Sequence, residues 1–294
     1  MNDQKTIILN NDVKMPALGL GVFLADGNET QNAVEIALAN DYRLIDTASI
    51  YENELEVGRG IKANGIDRKE LFVTTKLWIT DYGYDETLKA FDQSLQKLGL
   101  DYLDLYLLHW PTPSNFEKTI ESWRAMESLY EQGLIKAIGV CNFNKNHLEE
   151  LISRTQIKPV LNQVELHPYF SQQEINKVDT ELGIVTQAWS PIGGALNYHP
   201  ADRQLPHILQ HKIIRDIAET HHKSAAQAII KWHLQHGRSL IPKSVQENRI
   251  IENFSVFDFT LSEHEMRIID SLNVDMRVGY KPEEYDLAYY NKTK

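Results

Sequence analysis

The chain has 294 residues, of which 42% are hydrophobic and 24% are charged, so it has enough apolar material for a full globular core. Its 30 Lys and Arg residues against 41 Asp and Glu residues give a formal net charge of −11, which disfavours nucleic acid or an anionic membrane surface as a partner. The single cysteine, Cys141, excludes an intramolecular disulfide and a thiolate metal cluster.

The first residues lack the apolar core of a signal peptide, and no later stretch approaches the length of a membrane span. We therefore expect a cytoplasmic protein with no membrane partner. Residues 5–9 and 13–15 flank turn-forming residues at 10–12, which predicts a small β-hairpin at the start of the chain.

Residues 17–22 predict the first buried strand, and two of them are Gly19 and Gly21. A pair of glycines suggests a dinucleotide-binding fingerprint, but the third glycine is missing and no helix opens directly after the strand. We therefore interpret both glycines as close-packing positions at the bottom of a barrel.

From residue 30 onward, strand-like and helix-like segments alternate without a linker. Eight strands, each followed by a helix, predict an α/β fold: one (β/α)8 TIM barrel domain over residues 1–294, with an N-terminal hairpin and a C-terminal helix plus tail. Capping boxes are expected at Ser171, Ser224 and Ser262, and residues 273–294 are expected to be irregular. The predicted strands are 17–22, 42–46, 71–76, 103–109, 136–140, 160–165, 183–189 and 239–242; the predicted helices are 30–40, 52–64, 85–98, 115–132, 147–154, one starting at 171, then 206–220, 224–236 and 262–272.

Polar side chains stand at the carboxyl ends of successive strands, the face on which a barrel does its chemistry. Asp46 ends one strand and Tyr51 follows it, while Lys76 and His109 end the next two strands. A phenol has a pKa of about 10 unless a nearby ammonium stabilises its anion. We predict that Lys76, held and kept charged by Asp46, tunes Tyr51 as proton donor to a carbonyl oxygen, and that His109 orients that oxygen.

Each of these residues also has a common structural role, as a turn cap, a solvated lysine or a packed core histidine. Their arrangement on successive strands of one barrel favours the catalytic interpretation. Hydride would come from a reduced nicotinamide, whose chemistry belongs to the cofactor.

Several separated motifs, in order along essentially the whole chain, resemble the aldo-keto reductase family. The resemblance implies the same four roles, with Tyr51 as acid, Lys76 and Asp46 as its tuning pair and His109 as substrate orienter. The matching motifs are Asp46-Thr47-Ala48 with Tyr51, Asn53 and Glu54; Leu107-Leu108-His109-Trp110-Pro111; Asn162-Gln163-Val164-Glu165; and Ile241-Pro242-Lys243-Ser244 with Arg249, Glu252 and Asn253.

The loop and helix after the eighth strand carry Lys243, Ser244 and Arg249, which suit the 2′-phosphate of NADP better than a free ribose hydroxyl. The alternative is surface ion pairing of the cations with Glu247 or Glu252. The resemblance implies NADPH as the cofactor. It places the phosphate on Lys243, Ser244, Val245 and Arg249, the adenine on Glu252 and Asn253, the nicotinamide face on Trp189 with Ser190, Pro191 and Ile192 beside it, and the carboxamide on Cys141, Asn142 and Gln163.

Two positions depart from the family pattern. Cys141 stands where many members have serine, which replaces a stronger hydrogen-bond donor beside the carboxamide. Asp41 stands where the family usually has glycine, at the start of a strand, so it concerns folding more than catalysis.

Phe23, Trp78 and Trp110 lie just beyond strand ends and match positions that line the substrate pocket in the family. The short segment 111–116 resembles that of compact bacterial members, which reduce methylglyoxal or 2,5-diketo-D-gluconate. Arg277, in an Arg-Val-Gly sequence also typical of that subgroup, is a candidate contact for an anionic substrate. The family is often monomeric, and a monomer is expected.

Two other function classes compete with a reductase. A barrel that binds NADP without turnover, as a sensor or a partner subunit, would be expected to have lost the four catalytic residues, which are all present. A metal-dependent hydrolase could use the pairs His207 and His211 or His233 and His236, but no carboxylate-rich histidine motif stands at a strand end, so no metal is expected. We interpret these as surface histidines.

Overall fold

The computed structural model describes residues 6–194 and 206–293 of the chain. It begins with an antiparallel hairpin, in which β1 (Thr6–Ile8) pairs with β2 (Lys14–Pro16). The turn of the hairpin caps the amino-terminal end of the barrel, because Asn10 Nδ2 donates to Pro159 O at 2.9 Å, just before a barrel strand. The predicted hairpin is confirmed.

Eight parallel strands follow, and each pairs with its neighbour in chain order. The seam between first and last strand is closed by Gly19 N donating to Leu240 O at 2.9 Å and by Leu240 N donating to Ala17 O at 2.9 Å. The predicted barrel is therefore confirmed. Its strands are β3 (Leu20–Gly21), β4 (Leu44–Asp46), β5 (Phe72–Leu77), β6 (Leu105–Leu108), β7 (Ile138–Cys141), β8 (Leu161–Glu165), β9 (Val185–Trp189) and β10 (Ser239–Leu240).

The helices carry apolar faces that pack on the outside of the strands, where buried side chains such as Trp123, Phe91 and Trp232 form the larger of two apolar clusters. The boxes at Ser224 and Ser262 begin helices as predicted. The helices are α1 (Gly27–Ala39), α2 (Glu54–Asn64), α3 (Tyr84–Leu98), α4 (Phe116–Glu131), α5 (Lys145–Arg154), α6 (Gln173–Leu182), α7 (Lys212–Thr220), α8 (Ala225–Gln235), α9 (Glu247–Phe254), α10 (Glu263–Asp270) and α11 (Leu287–Thr293).

Both glycines of the first strand are required by close packing. A Cβ at Gly19 would lie 2.4 Å from Leu44 Cγ, and one at Gly21 would lie 2.8 Å from Ile241 O. The close packing is as predicted, but its placement at the bottom of the barrel was wrong for Gly21, which pairs with Asp46 at the carboxyl end of β4. Asp41 has a left-handed backbone with φ of 67°, which explains why a glycine suits that position.

Three predictions about local structure were wrong. The predicted helix 206–220 is a short 3₁₀ turn, Ile208–Gln210, and then α7, because His211 has an extended backbone. The box at Ser171 does not form, since Ser171 N donates instead to Asn273 Oδ1 at 2.9 Å and α6 begins without a side-chain cap. The C-terminal tail, defined here as residues 273–293, is not irregular throughout but ends in α11.

Candidate active site

Tyr51 lies in the 3₁₀ turn Ser49–Tyr51, directly after β4. The side chain of Asn53 fastens this turn to the barrel. Its Nδ2 donates to Val22 O at 2.9 Å, and its Oδ1 accepts a hydrogen bond from Thr47 Oγ1 at 2.8 Å. The phenol is thereby fixed at the carboxyl end of the strands by contacts on both sides of the turn.

Lys76, on β5, is fully buried and its ammonium has three acceptors within reach. Its Nζ donates to Asp46 Oδ1 at 2.5 Å, to Thr47 O at 2.9 Å and to Tyr51 OH at 3.4 Å. An ammonium has three N–H donors, so these contacts use all of them. The structure thus joins the predicted acid, ammonium and phenol in one hydrogen-bonded group.

The pKa of the Tyr51 phenol is raised to about 12, because burial of the group outweighs the opposing effect of Lys76. Lys76 therefore lowers the pKa of Tyr51, as predicted, but the pKa still ends above its usual value because burial has the larger effect. Burial lowers the pKa of Lys76, yet Asp46, Tyr51 and Cys141 together more than offset this, so the pKa of Lys76 stands above its usual value. The ammonium stays charged and the phenol keeps its proton at neutral pH.

His109 follows β6, with its ring centroid 5.8 Å from that of Tyr51. Burial, and after it the charge of Lys76, holds the pKa of His109 well below its usual value, so the imidazole is neutral. Its buried Nδ1 has no hydrogen-bond partner among the residues that the structure describes. A neutral imidazole in this place can donate a hydrogen bond to an oxygen without placing a second cation beside Lys76.

The side-chain amides assigned to the carboxamide are engaged within the protein. Gln163 Nε2 donates to Asp46 Oδ2 at 2.8 Å and to Gln187 Oε1 at 2.7 Å, and Cys141 Sγ lies 3.8 Å from Gln163 Oε1. Sequence reasoning missed Gln187, although a glutamine in the middle of a buried strand was a signal. Both N–H donors of Gln163 are thus used, so it would bind a carboxamide by accepting a hydrogen bond at Oε1.

Asn142, with a left-handed backbone of φ 63°, links two other candidates. Its Nδ2 donates to His109 O at 3.1 Å, and its Oδ1 accepts from Trp189 Nε1 at 2.9 Å. The loop after Trp189 continues with Ser190, also left-handed, then Pro191 and Ile192, of which Ile192 packs on the core. Through Asn142, the indole nitrogen of Trp189 is therefore connected to the backbone of His109.

Two of the three aromatic residues predicted for the substrate pocket lie against the residues predicted to be catalytic. The ring centroid of Phe23 is 5.0 Å from that of Tyr51, and the centroid of Trp78 is 5.0 Å from that of His109. Trp110 instead contacts the C-terminal tail, with its centroid 4.4 Å from that of Tyr285. The mouth of the barrel is thus lined by aromatic rings from several loops.

The C-terminal tail covers this mouth, which sequence reasoning missed. Tyr285 packs on Trp110, and Tyr290 packs on Trp78 with ring centroids 5.2 Å apart. Both tryptophans are only 7% exposed as a result. The signal available in the sequence was four tyrosines between positions 280 and 290.

The predicted phosphate-binding residues form a separate group at the end of the last strand. Among the described residues neither Lys243 nor Arg249 belongs to an ion pair, so the alternative of pairing with neighbouring glutamates is not observed. Ser244 is nearly buried and its Oγ accepts from Gln246 N at 3.1 Å. The helix that follows, α9, begins without a side-chain cap. Val245 is partly buried against the core. This cluster of two cations outside the observed ion pairs, a hydroxyl and a helix N-terminus fits an anionic group.

The two residues assigned to the adenine lie on α9. Asn253 is buried, and the Glu252 carboxylate accepts a hydrogen bond from Ser224 Oγ. Glu252 is therefore held by Ser224, the N-cap residue of α8.

Not all of the histidines in the two predicted pairs lie at the surface. His233 is fully buried, with its Nε2 3.1 Å from Pro191 O, so its interpretation as a surface histidine was wrong. Across residues 6–194 and 206–293 there is no group of three His, Cys, Asp or Glu side chains placed to hold a metal ion. In the same part of the chain no helix is long and apolar enough to cross a membrane.

At the mouth of the closed eight-stranded barrel lie a buried ammonium–carboxylate pair, a protonated phenol and a neutral imidazole, a set typical of a barrel enzyme that uses general acid catalysis. The sequence model of the aldo/keto reductase family matches residues 17–274 of the chain. The chain is 52% identical to morphine 6-dehydrogenase of Pseudomonas putida over 97% of its length and 96% of that protein, and 50% identical to glyoxal reductase of Bacillus subtilis over 95% and 96%.

Among solved structures, the aldo-keto reductase of Bombyx mori in complex with NADP superposes with a TM-score of 0.87 at 34% identity, covering 98% of this chain and 96% of that one. The chain therefore belongs to the aldo/keto reductase family.

Proposed function

We propose that this protein reduces the carbonyl group of small aldehydes and ketones with NADPH, and that Tyr51 supplies the proton. The observation that carries the proposal is the hydrogen-bonded group in which Lys76 Nζ lies 2.5 Å from Asp46 Oδ1 and 3.4 Å from Tyr51 OH. Bound NADPH would supply a hydride to the carbonyl carbon.

The roles of the protein residues follow from their protonation states. Tyr51 holds a proton at neutral pH and can give it to the carbonyl oxygen as that oxygen gains negative charge. The phenolate left behind lies beside the Lys76 ammonium, which stabilises it until a proton returns from solvent. The neutral ring of His109, whose centroid lies 5.8 Å from that of Tyr51, would donate a second hydrogen bond to the same oxygen. Hydride on carbon and proton on oxygen together yield the alcohol.

The cofactor assignment is supported by the chemistry of two regions. Lys243, Ser244 and Arg249 offer two cations and a hydroxyl where the 2′-phosphate would bind, and Trp189 offers a flat face near His109 for the nicotinamide. The Bombyx mori protein to which the chain is similar was solved with NADP. Residues at both ends of the site thus fit NADPH.

The substrate class is proposed from the aromatic cover over the mouth and from relatives. The aromatic cover leaves Trp78 and Trp110 almost fully buried, which favours compact carbonyl compounds such as methylglyoxal or 2,5-diketo-D-gluconate. One relative is named a glyoxal reductase, which agrees with a small dicarbonyl substrate. The alternative of a non-catalytic NADP-binding barrel is disfavoured because all four catalytic residues are present and in contact.

The test follows the absorbance of NADPH when the purified protein is given methylglyoxal or 2,5-diketo-D-gluconate. General acid catalysis contributes about 10²- to 10⁴-fold, so Tyr51→Phe is expected to lower kcat by at least about 100-fold without weakening NADPH binding. Tyr84→Phe, which changes an exposed tyrosine, is the matched control. A wild-type protein that binds NADPH but reduces no carbonyl would instead support the non-catalytic alternative.

A further inference from the structure

The C-terminal tail crosses the carboxyl ends of the barrel strands and is attached in several places. It begins where Val274 N and Met276 N both donate to Tyr169 O, at 3.1 and 3.0 Å. Farther on, the Glu283 carboxylate accepts a hydrogen bond from the side chain of Asn144. These contacts fix the tail to the loops after β7 and β8 without touching the proposed cofactor residues.

Between these attachments the tail is bound by a single buried carboxylate. Glu165, the last residue of β8, is fully buried, and its Oε1 accepts from Val278 N and its Oε2 from Gly279 N, each at 2.8 Å. His167 Nε2 lies 3.2 Å from Oε1. An unpartnered buried carboxylate is costly, so these amides and the carboxylate stabilise each other only while the tail is in place.

This anchor lies directly beside the predicted nicotinamide platform. In the β8–β9 ladder Glu165 pairs with Trp189. A Cβ at Gly279 would lie 2.6 Å from Trp189 Cη2 and 3.0 Å from Glu165 Oε2, so only a glycine fits against the edge of the indole. Space, and not a left-handed backbone, is what requires glycine here.

The indole is therefore held at two opposite ends. The tail contacts its six-membered ring through Gly279, and its Nε1 donates to Asn142, which in turn donates to His109 O. A change in the position of the tail would move the ring, and a ligand on the ring would favour one position of the tail.

We propose that Glu165 and Gly279 are positioning residues, which hold the tail against Trp189 and so fix the orientation of the ring that receives the nicotinamide. The inference rests on the proposed function, in which Trp189 is that platform. Cofactor binding and closure of the tail over the substrate mouth then stabilise each other, because both depend on the same contact between Gly279 and the indole.

The decisive experiment is a double-mutant cycle on the affinity for NADPH, measured by titration calorimetry in the absence of substrate. Gly279→Ala is expected to weaken binding on the order of tenfold in the wild-type background. In the Trp189→Phe background the same change is expected to cost less than about twofold, because phenylalanine lacks the ring carbons that the new methyl would meet. Gly27→Ala is the matched control, since a Cβ there meets nothing within 4 Å.

A second variant tests the anchor without adding bulk. Hydrogen exchange of the tail amides is expected to slow when NADP⁺ binds the wild-type protein. Glu165→Gln keeps the shape of the side chain but turns an amide group toward backbone N–H donors, so tail exchange should become faster and no longer respond to NADP⁺. A purely structural role for Glu165 would speed exchange equally with and without the cofactor and would leave the response intact.

Equal losses of affinity in both backgrounds, or none, would overturn the inference while leaving the reductase proposal standing. A wild-type protein that does not bind NADPH would instead overturn the proposed function, and this inference with it. If Gly279→Ala fails to fold, the exchange response of Glu165→Gln decides: a preserved response contradicts the inference and a lost response supports it.

Discussion

The preference for NADPH over NADH is expected to depend on two residues, Lys243 and Arg249. A hydrogen bond to a charged group contributes about 1.5–3 kcal/mol, which corresponds to roughly 10- to 100-fold in affinity. Changing both residues to alanine should therefore raise KM for NADPH by about 100-fold or more, and KM for NADH by less than about threefold. The measurement is KM for both cofactors with one carbonyl substrate.

The control for this pair is Lys177→Ala, which removes an exposed cation on α6 far along the chain from the site. An unchanged preference for NADPH in the Lys243→Ala/Arg249→Ala variant would show that another part of the protein recognises the 2′-phosphate. The overall charge of −11 repels a phosphate, so the preference has to come from local contacts of this kind.

The sequence largely predicted which residues meet at the mouth of the barrel, but it did not predict their protonation states. Asp46, Lys76 and His109 each end or follow a strand-like run, and parallel strands bring such residues to one face. The raised pKa of Tyr51 comes from burial by residues far away in the chain, including Phe23. No local pattern contains that information.

Helix features that depend on neighbours in the sequence were predicted correctly, whereas those that depend on residues far away in the chain were not. The boxes at Ser224 and Ser262 formed as expected because the partner of each serine is three residues away. The box at Ser171 failed because Asn273, about a hundred residues later, binds its backbone. The helix α11 was missed for a similar reason, since its packing partner is Trp78 on the other side of the barrel mouth.

That packing gives a prediction for α11. Replacing Tyr290 with alanine removes the ring that covers Trp78, so quenching of tryptophan fluorescence by acrylamide should increase. An aromatic contact contributes about 0.5–1.5 kcal/mol, so KM for methylglyoxal is expected to rise about 2- to 10-fold with a smaller change in kcat. The hydrogen bonds among Asp46, Lys76 and Tyr51 do not involve the tail, which is why kcat is expected to change less.

Leu287→Ala provides the comparison, because Leu287 is exposed on the same helix. It should change neither the quenching nor KM. If Tyr290→Ala behaves like Leu287→Ala, the tail does not shield the mouth in solution and the cover over the tryptophans has no role in substrate binding.

The stability of the whole molecule is expected to depend on one buried carboxyl group. Asp179, on α6, is fully buried; its Oδ1 accepts from Asn162 Nδ2 at 3.2 Å and its Oδ2 from Thr186 Oγ1 at 2.7 Å. It forms no ion pair within the described residues. Burial, only partly offset by these two hydrogen bonds, raises the pKa of Asp179 from 3.8 to about 7.

A carboxyl group whose pKa is higher in the folded than in the unfolded protein favours folding most at low pH. Below about pH 4 the group is protonated in both states, and between about pH 4 and pH 7 only the unfolded state loses the proton, so the free energy of unfolding falls as pH rises. With about 1.4 kcal/mol for each pH unit, the loss is on the order of 4 kcal/mol by pH 7. Asp179→Asn removes this dependence, because an amide does not ionise.

Denaturant unfolding of wild type and Asp179→Asn from pH 4.5 to pH 8 measures the difference. The variant should gain stability relative to wild type steadily up to about pH 7, after which the difference should become constant. Asp101→Asn, at an exposed aspartate, serves as the control. A difference that stays flat across this range would mean that Asp179 is ionised in the fold at every pH tested.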